Sequence, residues 1–248
     1  MNVDPDCPVL LRGDDKRRMV KGMFDTVAPR YDLVNRVISM GLDQSWRRRT
    51  VKALGLARGA IVLDLACGTG DLSNVLEDNG LRAVGLDLSF GMLEASRSNA
   101  PDVLGDAAAI PLWDSSVDGV VCGFALRNFT ELPPVFAEIA RVVRPGGRIA
   151  LLEVATPESA IARAGHRAWF GHAVPVIGGL VSDRAAYRYL PRSVEYLPHP
   201  NRIRQQLRQA GFAGVGRRTF TAGATQLFTA TRAGVPEAEN ETRVAVVS

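Results

Sequence analysis

The chain is poor in the residues that staple or bridge small structures. Its 248 residues hold three cysteines, Cys7, Cys67 and Cys122, far apart, odd in number and without a C-x-x-C pair. That argues against a disulfide framework and a zinc knuckle, and it fits a reducing cytoplasm; no metal site is expected. Long apolar runs are missing as well. The longest near-apolar stretch, Ala173 to Val181, contains Pro175, Gly178 and Gly179 and is too short to span a bilayer. The N-terminus carries Asp4 and Asp6 where a signal peptide would have a basic segment and an apolar one, so no such peptide is expected. Charge is balanced, at a formal net +4. The arginines are dispersed apart from Arg47–Arg48–Arg49 and Arg217–Arg218, and no basic stripe interleaves with aromatics, so nucleic acid is not an expected partner. The mild basic excess does suit an anionic membrane face. Internal repeats and low-complexity tracts are absent.

What is present is a globular composition, 46% hydrophobic, long enough for one domain with an additional small element. The most informative stretch is "IVLDLACGTGD", Ile61 to Asp71. Ile61, Val62, Leu63 and Leu65 read as a strand buried on both faces, because such a strand shows no alternation. Gly68 and Gly70 permit positive φ and close approach of a ligand to backbone. Asp71 is placed to N-cap the following helix. This is the pattern of a nucleotide-type cofactor site at the carboxyl end of a first strand. It is not the dinucleotide fingerprint, since Ala66 stands where the first glycine is required. The next acid able to hold a ribose is Asp87, 17 residues beyond Gly70 and at the end of a second apolar run, with room between for one helix and one returning strand.

Residues 1–13 read as a flexible arm and 14–55 as a helical cap, with Met19, Met23, Phe24, Val27, Tyr31, Val34, Val37 and Ile38 at helical spacings. Strands are expected at 61–65, 82–87, near 102–105, at 117–123 and at 148–154. Helices are expected at 71–79, 90–99 and 131–142, and the breaker "RPGG" (Arg144 to Gly147) separates the last helix from the last of these strands. Such alternation implies a parallel sheet with helices on both faces. Residues 157–198 break the pattern and read as a lid or substrate insertion. A helix at about 199–210 and two β-rich runs, 215–221 and 224–232, follow. Ala222–Gly223 suits a hairpin between those runs. Residues 233–248 read as a disordered tail.

Seven strands ending in a hairpin, with Ala66 in the turn, resemble the Rossmann-like class I fold of S-adenosylmethionine-dependent methyltransferases: an α/β, mostly parallel sheet with an antiparallel C-terminal hairpin. The segments "MFDTVAPRYDLVN" (Met23 to Asn35), "DQSWRR" (Asp43 to Arg48), "FALRN" (Phe124 to Asn128), "RVVRPGGR" (Arg141 to Arg148) and "YRYLPRSV" (Tyr187 to Val194) together resemble the UbiE/MenG family. That family C-methylates the quinone ring in ubiquinone and menaquinone biosynthesis. The resemblance covers about residues 19–232. It implies S-adenosyl-L-methionine as cofactor, S-adenosyl-L-homocysteine as product, and a lipophilic quinol as substrate, most of all demethylmenaquinol. Peripheral contact with the inner face of the membrane and a homodimer accompany that reading.

The resemblance lays the methionine end of the cofactor over Gly68, Thr69 and Gly70 with Asp64 nearby, and the ribose on Asp87 beside Leu88. Asp106 and Ala107 meet the adenine, where the family commonly has Asn-Ala. Met92 either flanks the adenine or is plain core. Gly123 stands where relatives often carry Ser, and Ala125 replaces a glycine, which a negative φ would tolerate. A phenol titrates near 10, so ionising one at neutral pH costs roughly 4 kcal/mol, of which a fixed cation could recover ~1–3 pKa units. Arg127, just past the fourth strand, is the candidate for that cation, and Asn128 for a hydrogen bond to a quinol oxygen. Tyr31, Asp32, His166, His172 and Tyr187, or a water polarised by Arg127, are the candidate proton acceptors, with Tyr31 placed among the catalytic residues. Phe124, Trp169, Phe170, Tyr187 and Tyr189 are expected to shape the apolar substrate pocket, and Asp43, Trp46 and Arg47 to brace the cap. Two other readings stay open: methyl transfer to another phenolic or polyketide-like molecule, and a non-catalytic cofactor-binding subunit of a biosynthetic complex.

Overall fold

The computed structural model describes residues 11–157, 159, 163–164 and 193–234. Three helices precede the sheet: α1 (Gly13–Val27), α2 (Tyr31–Ile38) and α3 (Leu42–Leu54), with a 3-10 turn at Ala28–Arg30. The chain then alternates through β1 (Ile61–Leu65), α4 (Asp71–Asp78), β2 (Arg82–Asp87), α5 (Phe90–Glu94), β3 (Asp102–Leu104), β4 (Val117–Gly123), α6 (Leu132–Val142) and β5 (Val143–Val154). A 3-10 turn at Val194–Tyr196, α7 (Pro200–Gln209), β6 (Phe212–Phe220) and β7 (Thr225–Arg232) complete it.

The seven strands form one sheet in the order β3-β2-β1-β4-β5-β7-β6. The first five are parallel, and β7 runs antiparallel to both β5 and β6. Side chains alternate across the sheet. Leu63, Leu65, Val120, Cys122, Ile149 and Leu151 pack with α6 and α7 through Phe136, Ile139, Ile203 and Leu207. Val62, Val121, Ala150 and Leu152 pack on the other face with Val51 and Leu54 of α3 and Val75 and Leu76 of α4. Both faces are covered, which is why the inner strands read as unbroken apolar runs.

Three local differences from the sequence expectations have physical causes. The helix expected over 90–99 stops at Glu94. Ser96 and Ser98 side chains accept from the Ser98 and Ala100 amides, and the Arg97 amide donates to Thr69 O, so local serine bonds and the glycine turn outcompete helical ones. The strand expected from 148 begins at Val143, and "RPGG" lies inside it as an irregularity: Val143 pairs with Val117, yet Arg148 pairs with Gly119. Gly147 is needed there because a Cβ would sit 2.7 Å from Asp118 O. Asp71 is the first helical residue rather than the cap; Gly70, at φ 85°, takes the cap position without a side-chain bond.

Candidate active site

The strand order reverses at β1, between β2 and β4, and a crevice opens outside the carboxyl ends of these strands, where ligands bind in open α/β sheets. It encloses about 810 Å³, counting its open mouth. Tyr31, Gly68, Asp87, Leu88, Met92, Asp106, Ala107, Gly123, Phe124 and Asn128, all singled out in the sequence, line it together. Trp169, Phe170, Tyr187, Tyr189, His166 and His172 lie outside the described residues, as does most of the expected lid.

The floor is made by turns held open by their own backbone. Ala66 takes φ 56° and Gly68 φ 59°, the left-handed region that suits glycine best. Asp87 ties the turn after β1 to the turn after β2: Oδ2 accepts from Gly68 N at 2.9 Å and Oδ1 from Ser89 N at 2.8 Å. Burial pushes its pKa up against the pull of these amides. Each carboxylate oxygen keeps a lone pair for a ribose hydroxyl. Met92 is both fully buried and part of the crevice wall, so the two readings of it coincide.

Asp64, Thr69 and Gly70 sit behind the wall rather than in it. Asp64 is 1% exposed; Oδ2 accepts from Ser73 Oγ at 2.8 Å, and Oδ1 is buried without a hydrogen-bond partner. Burial raises its pKa to about 7. Thr69 Oγ1 donates to the buried Asp32 carboxylate, fastening α2 onto the glycine turn. Gly70 has no room for a side chain, since a Cβ would lie 2.6 Å from Ser98 Cβ.

Arg127 does not line the crevice itself, and its guanidinium is matched by the fully buried Glu153 in an ion pair. Nε donates to Ser193 Oγ at 3.0 Å and Nη1 also to Phe124 O at 2.7 Å. The geometric work of Arg127 is on the corner after β4. Phe124 holds φ 59°, a strained value for a bulky residue, while Ala125 is not among the positive-φ residues. The corner is pinned by Phe124 N donating to Leu152 O at 2.7 Å, and by Arg127 and Asn128 donating to Phe124 O. The Phe124 ring is thereby turned into the crevice, edge-on to Trp46 at 6.1 Å and beneath the Arg47 guanidinium at 5.6 Å.

A helical cap is expected over 14–55, but the α1 residues of the crevice roof are not among the site residues named from the sequence. Arg17, Val20, Lys21 and Phe24 of α1 all line the crevice. Their helical spacing is visible in the sequence, but it reads equally well as core. Lys16, 3% exposed, donates from Nζ to Arg127 O at 2.9 Å and Phe129 O at 2.6 Å, and lies 4.0 Å from the Tyr196 ring centroid; burial lowers its pKa to about 8. Arg17 pairs with Asp106 at 2.8 Å. Asp25 accepts from Ser89 Oγ and from Gly91 N, with Lys21 beside it at 2.8 Å. Tyr31 packs edge-on to Phe24, and burial lifts its phenol pKa against a hydrogen bond with Asn35 and the fields of Arg127 and Arg47. On α3, Arg47 bridges Asp43 and Asp71, and Trp46 Nε1 donates to Thr221 Oγ1 at 3.0 Å. Among the described residues no cluster of His, Cys, Asp and Glu could hold a metal ion.

The ubiE/COQ5 methyltransferase family pattern matches residues 12–232. The chain belongs to this family. It is 42% identical over 208 residues to the demethylmenaquinone methyltransferase of Deinococcus radiodurans, covering 80% of this chain and 86% of that one. It is 37% identical over 219 residues to the ubiquinone/menaquinone biosynthesis C-methyltransferase UbiE of Syntrophotalea carbinolica, with 85% and 92% covered. In fold, this methyltransferase is similar to a SAM-dependent methyltransferase of Thermotoga maritima (TM-score 0.63, 17% identity, 86% of this chain and 99% of that one).

Proposed function

We propose that this family member transfers a methyl group from S-adenosylmethionine to a ring carbon of a demethylated isoprenoid quinol, demethylmenaquinol in the first place. The observation that carries the reading is the single crevice whose wall includes Asp87 and Gly68 on one part and Tyr31, Phe124 and Asn128 on another. The names of the curated relatives support the acceptor class. The residues fit the donor: the Gly68 backbone is open and Asp87 keeps acceptor capacity in the crevice wall, while Asp64, buried behind that wall, supports the turn that carries Gly68.

The bound donor supplies an electrophilic methyl on a positively charged sulfur whose charge vanishes on transfer, a change that a dry site favours. The chain's own groups align and enclose. Phe24 and Phe124 give the acceptor ring an apolar slot, and alignment of its carbon with the methyl supplies much of the rate. Asn128 and Tyr31 hydrogen-bond the ring oxygen, whose ionisation, with its proton passing to water, makes that carbon nucleophilic; once the carbon holds the methyl, its own proton is lost to water and the ring becomes aromatic again. Arg127 acts as a positioning residue that holds the Phe124 corner and aims Asn128. The prenyl tail leaves through the mouth toward a membrane surface, on which the protein works as a peripheral guest.

Incubation with methyl-labelled donor and demethylmenaquinol, against a demethoxy-benzoquinol precursor and a simple phenol, tests this. Label should enter demethylmenaquinol preferentially. Tyr31→Phe and Asn128→Ala should lower turnover at least ~tenfold, as expected for groups that act on proton movement in the transition state, with donor affinity little changed. Label in the phenol alone, or in none of the three while the donor still binds, would overturn the quinol assignment.

A further inference from the structure

Tyr31 opens α2 and lines the crevice, while another side of the same short helix faces outward and is apolar. Leu33 is 57% exposed and Val37, one turn on, 38%; Met40 and Leu42 in the turn to α3 are 65% and 37% exposed. The other large exposed hydrophobic residues among those described, Phe90, Leu104 and Trp113, lie on other parts of the chain. Met40 also holds φ 53°, a left-handed backbone that glycine would adopt without strain. An exposed methionine kept at a strained turn tip is an outlier of the sort found at functional surfaces.

Charge on this stretch is sorted. Its two acids, Asp32 and Asp43, are buried and face inward, toward Thr69 in one case and toward Ser39 and Arg47 in the other. Its arginines, Arg30 and Arg36, are exposed. The outward face is therefore apolar with basic flanks and no exposed carboxylate, which is the chemistry that seats a short helix in an anionic phospholipid surface. No helix among the described residues is long and apolar enough to cross a membrane, so any such contact is superficial.

We propose that the Leu33–Leu42 face docks this protein onto an anionic phospholipid surface, beside the crevice that takes the lipid quinol. The inference rests on the quinol reading for its purpose, but its test does not. The full chain is sedimented with vesicles of phosphatidylcholine, with and without phosphatidylglycerol. The wild type should pellet with the anionic vesicles in a salt-sensitive way. The double variant Leu33→Ser/Met40→Gln should partition about tenfold more weakly, given the apolar surface removed. Arg30→Gln/Arg36→Gln should lose the preference for phosphatidylglycerol. Both variants should keep wild-type turnover on a short-tailed, water-soluble quinol and lose it on a long-tailed quinol embedded in vesicles.

Wild type that stays in the supernatant, or a Leu33→Ser/Met40→Gln variant that pellets like wild type, overturns the docking surface. So does a variant whose vesicle partition is unchanged while a dimer falls apart on size exclusion, since the face would then belong to a second copy. Partition that depends on Leu33 and Met40 upholds the docking surface even where no quinol is methylated; it is then the substrate assignment that fails.

Discussion

Asp64 is the residue whose environment is least resolved by its neighbours. One oxygen has Ser73, the other has nothing, and burial lifts the carboxyl to about 7. A carboxyl raised in the folded state favours folding while it is protonated. Its contribution is full below the ordinary value near 3.8 and is lost as pH rises toward about 7. Asp64→Asn removes the charge and keeps the shape. Urea melts should show the variant more stable than wild type at pH 8, by roughly 2–4 kcal/mol, since each tenfold change in proton affinity is worth ~1.36 kcal/mol. The two should converge near pH 4. Equal stability of the two proteins at pH 8 would contradict the assignment.

At the scale of elements, the decisive joint is between α1 and the loop after β4. Lys16 reaches the carbonyls on either side of Asn128, so the helix that roofs the crevice and the loop that presents Asn128 are set by one ammonium group. Lys16→Met keeps the apolar stem and strands two carbonyls. Unpaired buried polar groups cost about 1–3 kcal/mol each, so thermal unfolding should come earlier. kcat should fall more than the KM for donor rises, because the floor around Asp87 is untouched. Lys16→Arg should restore part of the kcat. An unaltered kcat with an earlier melt would reduce Lys16 to a structural tie.

At the scale of the molecule, the roof and floor come from segments on either side of β1, and a ligand between them joins both. Saturation with S-adenosylhomocysteine at about 100 times Kd should add roughly 2.7 kcal/mol of stability and slow amide exchange in α1 as well as in the turns after β1 and β2. Protection of the turns alone would mean that α1 does not close over the donor.

This division also explains what could be read from the chain. β1, β2 and β4 were legible to the residue because their apolar runs are covered on both faces. The floor was legible because glycine turns and spaced acids are local signals, and ten of the named residues do meet in one crevice. A helical cap over 14–55 was legible too, but not which of its α1 residues line the crevice, since a helical stripe has the same period whether it faces a core or a cavity. The ion pair of Arg127 was hidden for a related reason: Glu153 stands 26 residues away on the next strand, and no local pattern announces such a partner. Ser96 and Ser98 likewise stopped α5 through bonds that periodicity does not count.

Gly123 has a quieter consequence. A Cβ there would lie 2.8 Å from Leu72 Cδ1, the tip of a flexible side chain, so a side chain at 123 is admitted once Leu72 turns away. Gly123→Ser should therefore fold with a rotated Leu72 at the start of α4, and Gly123→Ser/Leu72→Ala should need no such rotation.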